Sequence, residues 1–467
     1  MKAWIKRTLL VLGVVILLLL AFGGYRLYWF LKTWPIGAGL AAKTLCSSVF
    51  LSGRTPEDVL QEELADMAAF VQTDVDYERK QVAVSLGPVQ RRAIYREGLG
   101  CTMIPDDGEA VGAPMAVETV PQPDALWPEG NLVSLDDLPP EVDRAKLSAA
   151  LDKTFAEPDA DRPRKTRAGV VVYDGRIIAE RYAPGFSADT PMLSWSMAKS
   201  VTNALVGILV GQGKLSLEEP APVPEWSDRG DPRHAITLDQ LLRMSSGLEF
   251  GEGYGDSASD VSMMLFNARD MAAFSASKPL EAEPDSVWHY SSGTSNIISR
   301  MIRDAVGGTH QDYLEFPRRA LFDRIGMRSA VFEPDASGTL VGSSYVYASP
   351  RDWARFGLLY LQDGVWQGER ILPEGWVAYS STPTPTAPLG QYGAHFYTNP
   401  ANAAEKTDRT WPDLPEFFYA SGYEGQKVVI IPSHNLVIVR LGFTQDPEAW
   451  DLGSLVGDVL EAIPGPD

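Results

Sequence analysis

The stretch Trp195-Ser196-Met197-Ala198-Lys199-Ser200 decides how this chain is read. A serine and a lysine three positions apart at a helix start lie on one face, one turn apart, so hydroxyl and amine can meet. That is the pairing a serine nucleophile needs when no histidine serves as its base. The surroundings supply a scaffold. Residues 168–173 and 177–182 read as strands separated by Asp174-Gly175, a hairpin signal. Residues 196–211 then read as a helix whose Val201, Leu205, Ile208 and Leu209 form a buried stripe. Serine-x-x-lysine is nevertheless a common pattern, and a capping serine followed by a surface lysine explains most occurrences, so other segments must carry the argument.

Two further clusters do. Trp288-His289-Tyr290-Ser291-Ser292-Gly293 is a polar, turn-like segment directly before a helix expected over 294–305. A Tyr290 hydroxyl there can pass protons between nucleophile and leaving group, with Ser292 orienting the network. A core tyrosine with a satisfied hydroxyl is the competing explanation. Tyr419-Ala420-Ser421-Gly422-Tyr423-Glu424-Gly425-Gln426 leads into a strong antiparallel pair, 427–431 and 436–441, joined by Pro432-Ser433-His434-Asn435. A glycine on an edge strand admits a substrate backbone, and the backbone N–H groups of Tyr423 and Ser196 then form a candidate oxyanion site. An ordinary glycine-bearing turn is the alternative.

Strands at both ends of the region from about residue 142 onward, with helices at 236–245, 260–266, 294–305, 351–361 and 450–462 between or after them, predict an α+β architecture. Its antiparallel sheet is flanked by helices, its first and last strands are neighbours, and it carries an additional helical region. Residues 380–388 and 401–415 read as exposed loops.

The three ordered clusters resemble the serine β-lactamase and penicillin-recognising superfamily, in particular its class C β-lactamase, esterase and 6-aminohexanoate-dimer hydrolase branch. Gly211-Gln212-Gly213-Lys214-Leu215-Ser216-Leu217, Leu241-Leu242-Arg243-Met244-Ser245-Ser246-Gly247-Leu248 and Tyr290-Ser291-Ser292-Gly293-Thr294-Ser295-Asn296 extend the similarity over roughly residues 145 to 465. The resemblance implies that Ser196 is acylated, that Lys199 accepts its proton, and that Tyr290 acts as general base or acid. Ser292 stands where β-lactamases often carry asparagine. Ala420-Ser421-Gly422 falls where β-lactamases and penicillin-binding proteins carry Lys-Thr-Gly, so Ser421 and Gly422 are kept as substrate-binding candidates without the lysine that meets a substrate carboxylate. That departure favours amide or ester hydrolysis of the dimer-hydrolase kind. β-Lactamase, D-aminopeptidase or esterase activity on the same scaffold is the first alternative, and a nonhydrolytic envelope protein that binds peptides is the second. Tyr254 and Asp256, in a glycine-rich acidic segment, border the expected cleft or merely cap a loop.

The N-terminus reads separately. Lys2, Lys6 and Arg7 precede an uncharged, mostly aliphatic run over 8–25, long enough to cross a bilayer with the basic leader cytoplasmic. An uncleaved single-pass anchor in a bacterial inner membrane, with a periplasmic catalytic domain, is expected. A cleaved secretory signal leaving a periplasmic or secreted protein is the rival. The expected divisions are therefore an anchor over 1–31, an accessory region and connector over 32–140, and a hydrolase domain over 141–467. Within the accessory region, Thr55-Pro56-Glu57-Asp58 caps a short helix, and Val82, Val84 and Leu86 alternate along a strand that 91–95 pairs. Cys46 and Cys101, the two cysteines, either bridge or remain separate thiols.

The chain's 467 residues, 45% of them hydrophobic, suffice for a large core. Its formal charge of −20 opposes nonspecific nucleic-acid binding. The five histidines have no compact ligand spacing, so no metal or organic cofactor is expected. The expected partners are a small amide or ester substrate and the inner membrane.

Overall fold

Alternation with period two builds the central sheet. In β5 (Thr166–Tyr173) and the strands Gln426–Ile431 and Leu436–Gly442, successive residues face opposite sides, and both sides are apolar. Val170, Val172, Val428, Ile430, Val437 and Val439 pack into the larger core, while Val171, Val429, Ile431 and Ile438 pack into a second. The computed structural model describes residues 2–106, 108–115, 123–136, 138–254, 256, 258–403 and 405–465.

The sheet has six antiparallel strands, in the order Tyr397–Asn399, Phe417–Gly422, Gln426–Ile431, Leu436–Gly442, β5 and β6 (Arg176–Tyr182). The last strand of the chain thus lies against the first strand of this sheet, with Val439 opposite Val170. This is the α+β arrangement that the two end hairpins predict. α3 (Arg144–Phe155) and the C-terminal helix Leu452–Leu460 cover one face. α4 (Ala198–Gly211) and the helix Pro350–Leu361 belong to the core on the other.

The helices mostly start where side chains satisfy their first N–H groups. Ser291 caps Ser292–Val306, Ser259 caps Asp260–Asn267 and Ser349 caps Pro350–Leu361. The helix expected over 236–245 is only Leu238–Leu242, opened by a Thr237/Gln240 capping box and closed where Met244 turns to φ 61°.

The N-terminal region is built on α1 (Lys2–Phe50), one unbroken helix that runs well past residue 31. It is exposed from Trp4 through residue 28 and largely buried from Ile36 onward. α2 (Pro56–Glu62) starts at its Thr55 cap as expected. A four-stranded antiparallel sheet follows: β1 (Val71–Asp76), β2 (Gln81–Leu86), β3 (Val89–Arg96) and β4 (Gly100–Ile104). Ala41, Ala42, Leu45 and Val49 of α1 pack on Val82, Val84 and Ala93 of this sheet. A disulfide joins Cys46 to Cys101.

α1 also docks on the larger domain. Gly39 lies so close to Phe266 that a Cβ on it would stand 2.1 Å from the Phe266 carbonyl oxygen. A buried ion pair joins Lys43 to Glu333, and Glu333 also accepts from Ser47 Oγ (2.8 Å) and the Cys101 N–H (2.6 Å). The C-terminal part of the region expected over 32–140 wraps this domain as a connector. Arg355 donates to the carbonyls of Pro128 (2.9 Å) and Gly130 (2.6 Å), and Trp127 is buried beside it. Within that connector, residues 107, 116–122 and 137 lie outside the described residues.

Candidate functional site

Ser196 sits in a 3₁₀ turn, Trp195–Met197, that feeds directly into α4. Trp195 holds a left-handed backbone at φ 46°, a costly conformation that needs support from its surroundings. Its indole supplies some of that support by donating to Glu424 Oε2 at 2.8 Å. Burial raises the Glu424 carboxyl to about 7. The helix beyond directs its N-terminal backbone N–H groups toward Ser196, a setting that favours developing negative charge.

Lys199 follows one turn later and is buried. Its Nζ donates to Ser196 Oγ (3.1 Å), Ser292 Oγ (3.0 Å) and the Ser343 carbonyl (3.0 Å). Burial lowers its pKa to about 8, against an opposing pull from the Glu252 carboxylate. The amine also lies 4.9 Å from the centre of the Tyr290 ring.

Ser292 opens its helix with its side chain turned into this cluster. Its backbone N–H and hydroxyl both donate to Glu252, at 2.8 and 2.6 Å. The Tyr254 hydroxyl donates to the same carboxylate at 2.8 Å and faces Ser292 and Ser196. Burial pushes the Tyr254 and Tyr290 phenols well above their usual range, so both stay protonated at neutral pH. Tyr290 packs among Tyr397, Tyr392 and Trp288.

The third cluster reaches the nucleophile turn through Gly422. A Cβ there would meet the Ser194 carbonyl oxygen at 2.1 Å, so only glycine permits this approach. Tyr423 follows immediately, which sets its backbone amide at the same rim as Ser196. A cavity of about 560 Å³ runs between these elements, bounded by Ser196, Glu252, Tyr290, Ser421, Tyr423 and Lys427.

The structure thus gathers Ser196, Tyr290, Tyr254, Ser421, Gly422 and Tyr423 around one cavity, with Lys199 and Ser292 buried behind Ser196 and hydrogen-bonded to each other. Asp256 is not among them. It lies on an exposed turn, where its carboxylate accepts from the Ala258 N–H at 2.8 Å. The carboxylate that meets Ser292 at this cavity is Glu252, four residues earlier, which sequence reasoning missed because nothing local ties it to Ser292. Trp288 lines this cavity, whereas Trp195 lines a neighbouring one.

Lys427 corrects a second expectation. The third cluster lacks the lysine of Lys-Thr-Gly, yet a lysine amine is present beside it, its pKa held well below the ordinary value by burial and by Arg409 and Arg440. Lys427, on the adjacent strand and in register with Ser421, extends Nζ to 2.7 Å from Ser421 Oγ. Arg409, on the loop 401–415, also lines the cavity. The hairpin register was the available signal, because a residue directly across an antiparallel pair is a neighbour.

Comparison with known proteins agrees with this architecture. The beta-lactamase family model matches residues 151–452. A 6-aminohexanoate-dimer hydrolase of Paenarthrobacter ureafaciens is 24% identical over 314 residues, 63% of this chain and 77% of that protein. A Bacillus anthracis structure provisionally named as a 6-aminohexanoate-dimer hydrolase superposes with a TM-score of 0.53 at 23% identity, over 68% of this chain and 80% of its own. The octameric penicillin-binding protein homologue from Pyrococcus abyssi gives a TM-score of 0.52 at 17% identity, over 68% and 76%. The matched span holds all three clusters, and by it the chain belongs to the beta-lactamase family, within the serine β-lactamase and penicillin-recognising superfamily.

Proposed function

We propose that this protein is a serine hydrolase that cleaves an amide or ester through an acyl-Ser196 intermediate, in the manner of the 6-aminohexanoate-dimer hydrolase branch. The observation that carries the reading is the Lys199 amine, 3.1 Å from Ser196 Oγ with its pKa lowered to about 8. A lysine so tuned is roughly a tenth neutral at pH 7, enough to act as a base.

Ser196 Oγ attacks the carbonyl carbon as its proton passes to Lys199 Nζ. The oxyanion forms between the backbone N–H groups of Ser196 and Tyr423. The C–N or C–O bond then breaks, and the leaving amine or alkoxide takes a proton. Tyr290 suits this donor role because its phenol stays protonated; Lys199 replenishes the proton. Water next attacks the acyl carbonyl, losing its proton to Lys199, and Ser196 leaves with a proton restored. The net reaction consumes one water and releases an acid and an amine or alcohol. Glu252 positions Ser292 and Tyr254 and holds Lys199 partly charged. Ser421 and Gly422 form the substrate-facing edge.

We further propose that α1 tethers the enzyme to the inner membrane with its catalytic domain in the periplasm. The helix from Trp4 is long and apolar enough to span a bilayer, and its most apolar window is wholly exposed. The small residues of 37–42, where a signal peptidase would look for a site, are packed into the fold: Ala38, Ala41 and Ala42 are fully buried.

A β-lactamase or D-aminopeptidase reading is favoured by one observation, the Lys427 amine beside Ser421, a hydrogen-bond donor placed where a substrate carboxylate would lie. Side-by-side turnover of a short ester, a 6-aminohexanoate dimer and a chromogenic cephalosporin separates these activities. Ser196→Ala is expected to lose turnover of every active substrate by at least about 10³-fold. Activity retained in the purified variant would overturn the hydrolase assignment.

A further inference from the structure

A second large cavity, about 470 Å³, lies between α1 and the hydrolase domain. Its size falls within the ~300–1,000 Å³ typical of small-molecule sites. Thr33, Ile36, Gly37, Leu40, Thr44 and Ser48 give it a wall along about 22 Å of α1. The opposite wall is mostly apolar, with Met192, Leu193, Val261, Leu265 and Phe266 among its residues. Arg54 and Arg167 also line it, but both pair with Glu62 and Glu63, so their charges do not claim a ligand.

Two placements give this cavity a meaning. First, it begins at Thr33, directly beyond the stretch of α1 whose apolar side chains are exposed: Leu27 is 56% and Leu31 62% exposed. In a tethered protein its lower end therefore lies at the membrane surface. Phe70, three residues beyond the lining residue Met67, is itself 71% exposed. Second, it abuts the catalytic cleft. Tyr254, Tyr423 and Glu424 line both cavities. The partition is aromatic: Tyr254 stacks on Tyr423 at 4.9 Å, and Trp195 meets Tyr423 edge-on at 5.9 Å. Trp195 is the residue immediately before Ser196.

We infer that this cavity seats the hydrocarbon chain of the substrate, which is a membrane-derived amphiphilic ester or amide whose carbonyl is presented to Ser196 across the Tyr254–Tyr423 partition. A largely apolar chamber that begins beside the exposed apolar stretch of α1 and adjoins the nucleophile turn, with Glu63, Asp66, Glu424, Gln426 and Gln445 in its polar lining, suits a chain that leaves the bilayer with little exposure to water. The inference rests on the acyl-serine reading and on the tether.

The test uses full-length protein in phospholipid nanodiscs and two fluorophosphonates, one ethyl and one dodecyl. Ser196 Oγ bonds to phosphorus, fluoride leaves, and the hydroxyl proton is lost through Lys199 to solvent. The dodecyl probe is expected to modify Ser196 at least tenfold faster than the ethyl probe, and Leu40→Trp, which fills the cavity, is expected to bring the ratio near one. Comparison with Leu40→Trp cancels the enrichment of the long probe in lipid. An equal ratio in the two proteins would overturn the inference. A diazirine-bearing palmitoyl ester gives a readout independent of reactivity. Crosslinks on both 33–40 and 261–266 are expected in Ser196→Ala protein, and crosslinks confined to 4–31 would contradict it. If neither fluorophosphonate modifies Ser196, the hydrolase reading fails and the crosslinking map alone decides the cavity.

Discussion

At the scale of single residues, the chemistry turns on how Lys199 is held. With its pKa lowered to about 8, its neutral fraction grows about tenfold per pH unit below that value and saturates above it. On the proposed mechanism kcat/KM therefore rises from pH 6 to 8 and levels off, an ascending limb with an apparent pKa near 8 in a pH–rate profile. Glu252 raises the lysine's pKa, so Glu252→Gln is expected to shift that limb to lower pH. The same substitution loosens the hold on Ser292 and Tyr254 and lowers kcat by about 10²-fold. A limb that does not move would show that Glu252 is merely structural. Ser196, Lys199 and Tyr290 were legible because each lies in a local motif. Glu252 and Ser343 were not, because their partners are 40 and 144 residues away, and Lys427 could be read only from the register of two paired strands.

At the scale of elements, the nucleophile turn and the strand Phe417–Gly422 touch backbone to backbone, and this contact sets the width of the catalytic rim. Gly422→Ala is expected to force the strand away from Ser194 and lower kcat/KM by about 10²-fold, measured on the best short ester. Unchanged activity would mean that the rim tolerates the shift. The strands of the central hairpins and most helices were legible from period-two alternation, Asp174-Gly175, and capping serines and threonines. β1 and β4 were not singled out. β1 is mostly polar, with alternate residues exposed, and β4 is buried throughout, so neither shows a half-buried apolar alternation. The length of α1 was also hidden. Arg26, Lys32, Pro35 and two glycines suggest a break near residue 31, but Gly39 serves close packing on Phe266 rather than ending the helix.

At the scale of the whole molecule, the N-terminal region is fastened to the hydrolase domain by the Lys43–Glu333 pair and braced internally by the Cys46–Cys101 bridge. Both charges are buried, so removing one partner strands the other. Glu333→Ala is expected to destabilise the protein by about 3–5 kcal/mol, whereas Lys43→Met combined with Glu333→Leu recovers most of that loss, as read by denaturant unfolding. Equal losses in the single and double variants would argue that Glu333 acts through Ser47 and the Cys101 N–H instead. No periodicity or motif reports this clamp, since it joins positions 290 residues apart.

Everything proposed for the catalytic cleft depends on Ser196 being an activated nucleophile, which peptide mapping after treatment of the full-length protein with a small fluorophosphonate reads out. A single adduct is expected, on the peptide carrying Ser196, formed faster as pH rises toward 8 and absent from folded Ser196→Ala protein. A folded wild-type protein left unmodified at Ser196, or an adduct that persists in Ser196→Ala, would contradict it.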